Sequence, residues 1–252
     1  MALLQIENLT KTFGGVHAIQ DLSFDIGEGA IHSVIGPNGA GKTTLFNLIT
    51  GVYTPTSGRI VFDGRDVAGT PPYRLAALGM SRTFQNLQVC MNMSAAENVM
   101  IGRHLHLNRR FLPAMLRFPG VVRGDRDCRE RAMELMEFVG ISRYATAEAA
   151  SMPYGALKRL EIARALAAES RLLLLDEPAA GLNANETAEI DELIQKVAES
   201  GVTVVLVEHD MKLVMNISDH ILVLDYGKKL AEGTAEEVRH NPDVISAYLG
   251  AA

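Results

Sequence analysis

The segment Gly36-Pro-Asn-Gly-Ala-Gly-Lys-Thr43 constrains this chain more than any other. It follows the pattern G-x-x-x-x-G-K-[ST]. The apolar run Ala30–Ile35 before it reads as a buried strand, and Thr43–Thr50 after it as a helix closed by Gly51. In that context the glycines let successive N–H groups converge on an anion, and the helix adds its positive end. Lys42 is placed to reach the β- and γ-phosphates of a nucleotide, and the Thr43 hydroxyl to ligate Mg²⁺. The candidate nucleotide-contacting residues are therefore Gly36, Pro37, Asn38, Gly39, Ala40, Gly41, Lys42, Thr43 and the adjoining Thr44. The loop by itself implies a nucleotide and leaves open what the energy is for.

Around this loop, strand-like and helical runs alternate, which reads as α/β. The first part is β-rich: Leu3–Leu9, Leu22–Ile26, and Ile60–Phe62 before the turn Asp63-Gly64. From about Asn86 to Ala168 the pattern is helical. Ser94-Ala-Ala-Glu97 has capping-box spacing, and Asp127–Val139 carries Leu135, Met136 and Val139 on one face and stops at Gly140. Pro153 stands where a helix can begin, and Ala156–Ala168 continues in good helix formers. Buried strands then return at Leu172–Leu175, Val202–Val207 and Ile221–Leu224, with an amphipathic helix from about Asn185 to Ser200. The expected organisation is one domain: an α/β core from 1–85 and 169–252 with a helical subdomain, 86–168, inserted into it.

Leu172–Leu175 runs into Asp176-Glu177-Pro178. A buried strand that ends in two acids must deliver them to a polar site, because unpaired buried charge is costly. Asp176 is expected to hold Mg²⁺ through water, and Glu177 to polarise an attacking water.

Bulk properties narrow the partners. The net charge of -6 argues against nucleic acid. No stretch approaches the roughly 20 apolar residues of a membrane helix, and Met1–Thr10 lacks the pattern of a signal peptide. Any membrane role must come through other subunits. Cys90 and Cys128 have no metal-ligand spacing and read as unpaired thiols in a reducing compartment.

Further motifs, taken in order, resemble those of ABC ATPases over essentially the whole chain. Arg82-Thr-Phe-Gln85 looks like the Q-loop, Met152-Pro-Tyr-Gly-Ala156 like the signature, Ala180-Gly-Leu-Asn183 like the D-loop, and His209 in Glu208-His-Asp210 like the switch histidine. The resemblance implies a P-loop core, a RecA-like parallel sheet with an antiparallel β subdomain, and the inserted helical subdomain. It implies that Gln85 contacts Mg²⁺ and the water, that Glu177, His209, Gln85 and Lys42 carry ATP hydrolysis, and that Phe13 stacks on adenine. It also implies a head-to-tail pair in which Pro153 and Gly155 of one subunit close over ATP held by the other.

The signature departs from the family pattern. Its serine is Pro153, which has neither hydroxyl nor N–H, its glutamine is Ala156, and the D-loop aspartate is Asn183. Gly79–Gln88, Arg159-Leu-Glu-Ile-Ala-Arg164, Pro178–Asn183, Glu208–Met215 and the tail from Glu232 resemble the larger ATPase subunit of branched-chain amino acid importers. That family implies a second ATPase subunit, membrane permeases, a solute-binding protein, and a peripheral position on the cytoplasmic face of the membrane. Urea, amide or lipid transporters carry similar ATPases, and non-transport ABC ATPases are the rival class. From Asn98 to Gly124 there is no acid, but there are Arg103, Arg109, Arg110, Arg117 and Arg123. This stretch reads either as a solvated insertion or as a face for the permease and acidic headgroups.

Overall fold

The computed structural model describes residues 2–105 and 119–249. Arg109, Arg110 and Arg117 of the basic stretch lie outside the described residues. Arg103 donates to Glu169 at 3.0 Å, and Arg123 lies in a helix.

Two sheets form the frame. The first is antiparallel, in the order β2-β1-β4-β5, from β1 (Ala2–Phe13), β2 (Val16–Gly27), β4 (Ser57–Phe62) and β5 (Arg65–Asp66). The second has the order β10-β9-β3-β8-β7-β6, from β3 (Ile31–Ile35), β6 (Met80–Arg82), β7 (Leu172–Asp176), β8 (Thr203–Val207), β9 (His220–Asp225) and β10 (Lys228–Gly233). Strands β6, β7, β8, β3 and β9 are parallel, and β10 returns antiparallel on β9.

The second sheet is covered on both faces, which is why its strands are unbroken apolar runs. Side chains alternate between two cores. Leu172, Leu174, Val205, Val207, Leu222 and Leu224 join the first sheet and helix α1 (Lys42–Ile49). Leu173, Leu175, Val204, Leu206, Ile221 and Val223 join the helical side. The loop ahead of α1 is thereby wedged between a parallel strand end and the β1–β2 hairpin.

Helix α2 (Pro72–Ala77) precedes β6. Three further helices pack on one another: α3 (Ala95–Gly102), α4 (Pro119–Phe138) and α5 (Tyr154–Leu166). The expected capping box is present, with Ser94 Oγ accepting from Glu97 N–H and Glu97 accepting from Ser94 N–H at 2.8 Å. Buried Asn98 ties α3 to the preceding loop, accepting from Cys90 N–H and donating to Cys90 O. Helices α6 (Ala184–Glu199), α7 (Met211–Ile217), α8 (Ala235–Arg239) and α9 (Pro242–Leu249) complete the chain.

Sequence periodicity finds most elements and underestimates several. β2 begins at Val16 because pairing with β1 carries it past its exposed residues, and α4 starts at Pro119 because exposed polar turns can continue a helix already nucleated on the core. Short β6 is held by its parallel neighbour, Met80 opposite Leu172, and has no pattern of its own. No helix among the described residues is long and apolar enough to cross a membrane.

Candidate nucleotide site

The glycine-rich loop is shaped by close backbone approach. A Cβ on Gly36 (φ 150°) would stand 2.1 Å from the Leu224 carbonyl, and one on Gly41 (φ 105°) 2.7 Å from the Ala18 carbonyl. Gly41 is also the N-cap of α1, whose first turn receives no side-chain cap, so its N–H groups remain free for an anion. The Gly41→Ala variant is expected to lose on the order of 1–3 kcal/mol through strain, and to bind nucleotide more weakly than wild type in a fluorescent-ATP titration.

Lys42 bends back over its own loop, donating to Gly36 O at 2.6 Å and Pro37 O at 3.0 Å. Its ammonium is buried against neutral acceptors, and burial pulls its pKa below the usual lysine value despite the opposing Glu177 charge. A desolvated cation of this kind gains by meeting an anion.

Opposite the loop, β7 ends at Asp176 and the chain turns through Glu177 in the left-handed region, φ 50°. That conformation is uncommon for a residue with a side chain. It is secured by Glu177 N–H donating to Val207 O at 2.9 Å. The turn presents the Glu177 carboxylate to two partners. Oε1 lies 2.7 Å from His209 Nε2, and Oε2 accepts from Gln85 Nε2 at 3.0 Å.

These groups share one cleft of about 580 Å³, walled by Asn38–Thr44, Gln85, Glu177 and His209, with Val16, His17, Gln20 and Tyr226 at the side. The structure thus gathers Asn38–Thr44 of the loop with Gln85, Glu177 and His209, while Gly36 and Pro37 do not line the cleft and hold Lys42 through their carbonyls. It does not bring Phe13 or Asp176 onto the same wall. The Phe13 ring packs edge-on against Tyr53 at 5.3 Å with the Lys11 ammonium 4.8 Å from its centroid. Asp176 is buried, and Arg82 NH2 donates to its Oδ2 at 2.7 Å. The same guanidinium donates to Asn47 Oδ1 at 2.6 Å and Thr50 Oγ1 at 3.2 Å and lies over the Phe84 ring at 4.9 Å.

Pro153 and Gly155 stand elsewhere. Pro153 is the N-cap of α5 and makes no side-chain cap. With Gly155, Ala156, Arg143 and Glu186 it lines a separate cleft of about 350 Å³. Arg159 and Glu189, paired with each other, border it. Asn183 caps α6 in a box with Glu186. Lys158 of α5 donates to the carbonyl of Glu177 at 3.4 Å, so this helix touches the turn that carries Glu177.

Arg82, Tyr226 and Glu208 are the neighbours that sequence reasoning passed over. Arg82 was visible only as the first letter of a motif. Tyr226 gives one signal, an aromatic residue before Gly227 in a two-residue hairpin turn where φ is 43° and Asn or Asp is usual.

Behind the site, burial and the charges of Asp210 and Glu208 push the Asp191 carboxyl up to about 6. Its folded pKa lies above the unfolded value of 3.8. The native state therefore binds the extra proton, and stability falls as pH rises from about 4 through about 6. Asp191→Asn is expected to raise Tm above pH 6, with the gain shrinking as pH is lowered through that window, as a pH series of thermal melts would read.

A parallel sheet, a glycine loop on a helix start, and an acid held between a glutamine and a histidine define a P-loop nucleotide-binding cassette. The sequence model of the ABC transporter family matches residues 19–180, and that of the branched-chain amino acid ATP-binding cassette transporters matches residues 228–252. The chain belongs to the ABC transporter family. It is 47% identical over 251 residues to the high-affinity branched-chain amino acid transport ATP-binding protein BraF of Pseudomonas aeruginosa, covering 99% of this chain and 98% of that protein. It is 43% identical to LivG of Escherichia coli K12, with the same coverage. Among solved structures, the ADP conformation of the ABC transporter cassette MJ1267 superposes with a TM-score of 0.86 at 31% identity, covering 99% of each chain.

Proposed function

We propose that this chain binds and hydrolyses ATP as the ATP-binding subunit of an importer for branched-chain amino acids. The observation that carries the hydrolytic part is Glu177, held between Gln85 and His209 across the cleft from Lys42. The solute rests on the near full-length similarity to BraF and LivG.

In this reading the free N–H groups of the loop and α1 receive the phosphates. Lys42 exchanges its two carbonyl partners for phosphate oxygens. Glu177 orients a water and draws its proton as that water attacks the γ-phosphorus, the bond from the γ-phosphorus to the β,γ-bridging oxygen breaks, and ADP and phosphate leave, while His209 Nε2 fixes the carboxylate. Support of this general-base kind is worth roughly 10²–10⁴ in rate. A magnesium ion, when bound, would neutralise charge on the β- and γ-phosphates. The residues fit it: the Thr43 hydroxyl and the Gln85 side-chain oxygen accept from no described residue, and both border the cleft. Among the described residues no group of three or more His, Cys, Asp or Glu could hold a metal alone. That suits an ion that keeps waters and phosphates as ligands. Arg82 orients Asp176 beneath.

The separate position of Pro153 and Gly155 supports their use in trans, on ATP held by a second ATPase subunit. Loss of the signature hydroxyl removes one hydrogen bond to a charged group, about 1.5–3 kcal/mol, and slows the composite site without abolishing it. Segment 86–168 is the part we assign to moving the permeases, at the cytoplasmic face of the membrane. The test is to purify the chain with its membrane partners and measure ATP hydrolysis with solute-binding proteins loaded with different solutes. Stimulation by a leucine-loaded protein is expected. Stimulation only by a protein loaded with another class of solute would overturn the solute assignment.

A further inference from the structure

We propose that Glu208 is a positioning residue that sets the distance between Glu177 and His209 by holding the backbone of both segments on one carboxylate. The inference rests on the ATPase reading above. Glu208 follows the last residue of β8, and its side chain is buried. Oε1 accepts from Ala179 N–H at 2.9 Å, and Oε2 accepts from His209 N–H at 3.1 Å. Ala179 lies two residues beyond Glu177, in the turn that begins the D-loop. One carboxylate therefore bridges the turn carrying the acid and the residue carrying the imidazole.

The arrangement is expensive for a purely structural link. A buried carboxylate costs free energy unless it is paired or fully hydrogen-bonded. No lysine or arginine pairs with Glu208 among the described residues; burial first, then the Glu177 charge, pushes its carboxyl up, and the two backbone N–H bonds and His209 oppose them. What the charge provides is two charge-assisted bonds, at 2.9 and 3.1 Å, stronger than neutral ones. Stiffness is needed at this point. Glu177 sits at φ 50°, and its N–H bond to Val207 O fixes only one end of the turn. The Ala179 bond fixes the other end, and the His209 bond locks the imidazole segment to the same atom group. The Glu177 N–H bond to Val207 O already ties the two strand ends, and the Glu208 bridge adds a second tie beyond it, next to the residues that make the 2.7 Å contact between Glu177 and His209. Glu208 is not among the residues that wall the cleft, so the role assigned to it runs through Glu177 and His209.

The test uses the full chain, with steady-state ATP hydrolysis, fluorescent-ATP titration and thermal melts on wild type, Glu208→Gln, Glu208→Ala and the core control Leu206→Ala on the same strand. A glutamine keeps the shape but can accept only one of the two N–H bonds, and alanine accepts neither. The expected result is a graded loss of kcat, roughly 10-fold for Gln and 100-fold for Ala, the size that misplacement by about an ångström produces. KM and the Kd for ATP stay within about 2-fold, since ground-state binding is untouched. Leu206→Ala lowers Tm and leaves kcat at wild-type level below its melting range. Should Glu208→Ala fail to fold, the Gln variant decides alone. A wild-type kcat in Glu208→Gln overturns the proposal, as does a rise of KM in step with the fall of kcat, or an equal kcat loss in Leu206→Ala. A wild-type chain that hydrolyses no ATP overturns the ATPase reading itself, a different and separately visible failure.

Discussion

Replacing Arg82 by Met is expected to cost about 3–5 kcal/mol of folding stability, because it strands a buried carboxylate. Arg82 and Asp176 are both almost fully enclosed, at 6% and 7% side-chain exposure, and 2.7 Å apart. The attraction between them offsets two desolvation penalties. Removing the cation leaves one penalty with nothing against it. Met keeps most of the volume and the contacts with Phe46 and Phe84, so packing loss is a minor part. Asn47 and Thr50 lose a shared donor as well. For a chain of this size the loss corresponds to a Tm lower by roughly 6–20 °C. The double variant Arg82→Met/Asp176→Asn is expected to recover a large part of it, because the neutral amide no longer needs a cation, while ATP hydrolysis stays lost. A thermal or denaturant melt of the three variants reads the cycle. Equal Tm values for Arg82→Met and wild type would mean that Asp176 is solvated or protonated and that the pair does not hold the strand ends together.

Replacing Glu177 by Gln is expected to lower kcat for ATP by roughly 10²–10⁴, with ATP affinity retained. The amide preserves shape and can still meet His209 and Gln85, but it cannot accept the proton of the attacking water. The Lys42 side of the cleft is unchanged, so nucleotide still binds. Two such chains joined over ATP are then expected to stay joined, visible as a dimer on size exclusion that ATP, and not ADP, supports. Stability should move little, because Glu177 lies at the cleft wall and its strained backbone is set by Val207 and by the Glu208 bridge. If turnover and ATP retention are both unchanged, Glu177 is not the base.

Local signals account for what could be read in advance. The phosphate loop is eight consecutive residues, and its shape follows from which of them lack a Cβ. The acids Asp176 and Glu177 are conspicuous because four leucines precede them. The Ser94 capping box joins residues three apart. Phe13 illustrates the reverse. Its place before a glycine pair is legible, but the ring packs edge-on against Tyr53, which comes from a distant part of the chain.

The sequence by itself therefore determined the phosphate loop, the alternation of buried strands with helices, and the identity of the acids at the strand ends. Each depends on neighbours within a turn or a strand, and local sterics and hydrophobic periodicity act over that range. Only the tertiary structure decided how those groups meet. Gln85 reaches Glu177 across 92 positions, Arg82 reaches Asp176 across 94, and Glu208 reaches Ala179 across 29. Which buried charge finds which partner depends on strand order in the second sheet, where β6 lies beside β7 and β7 beside β8. That order is a property of two cores packing on one sheet, and no single segment encodes it.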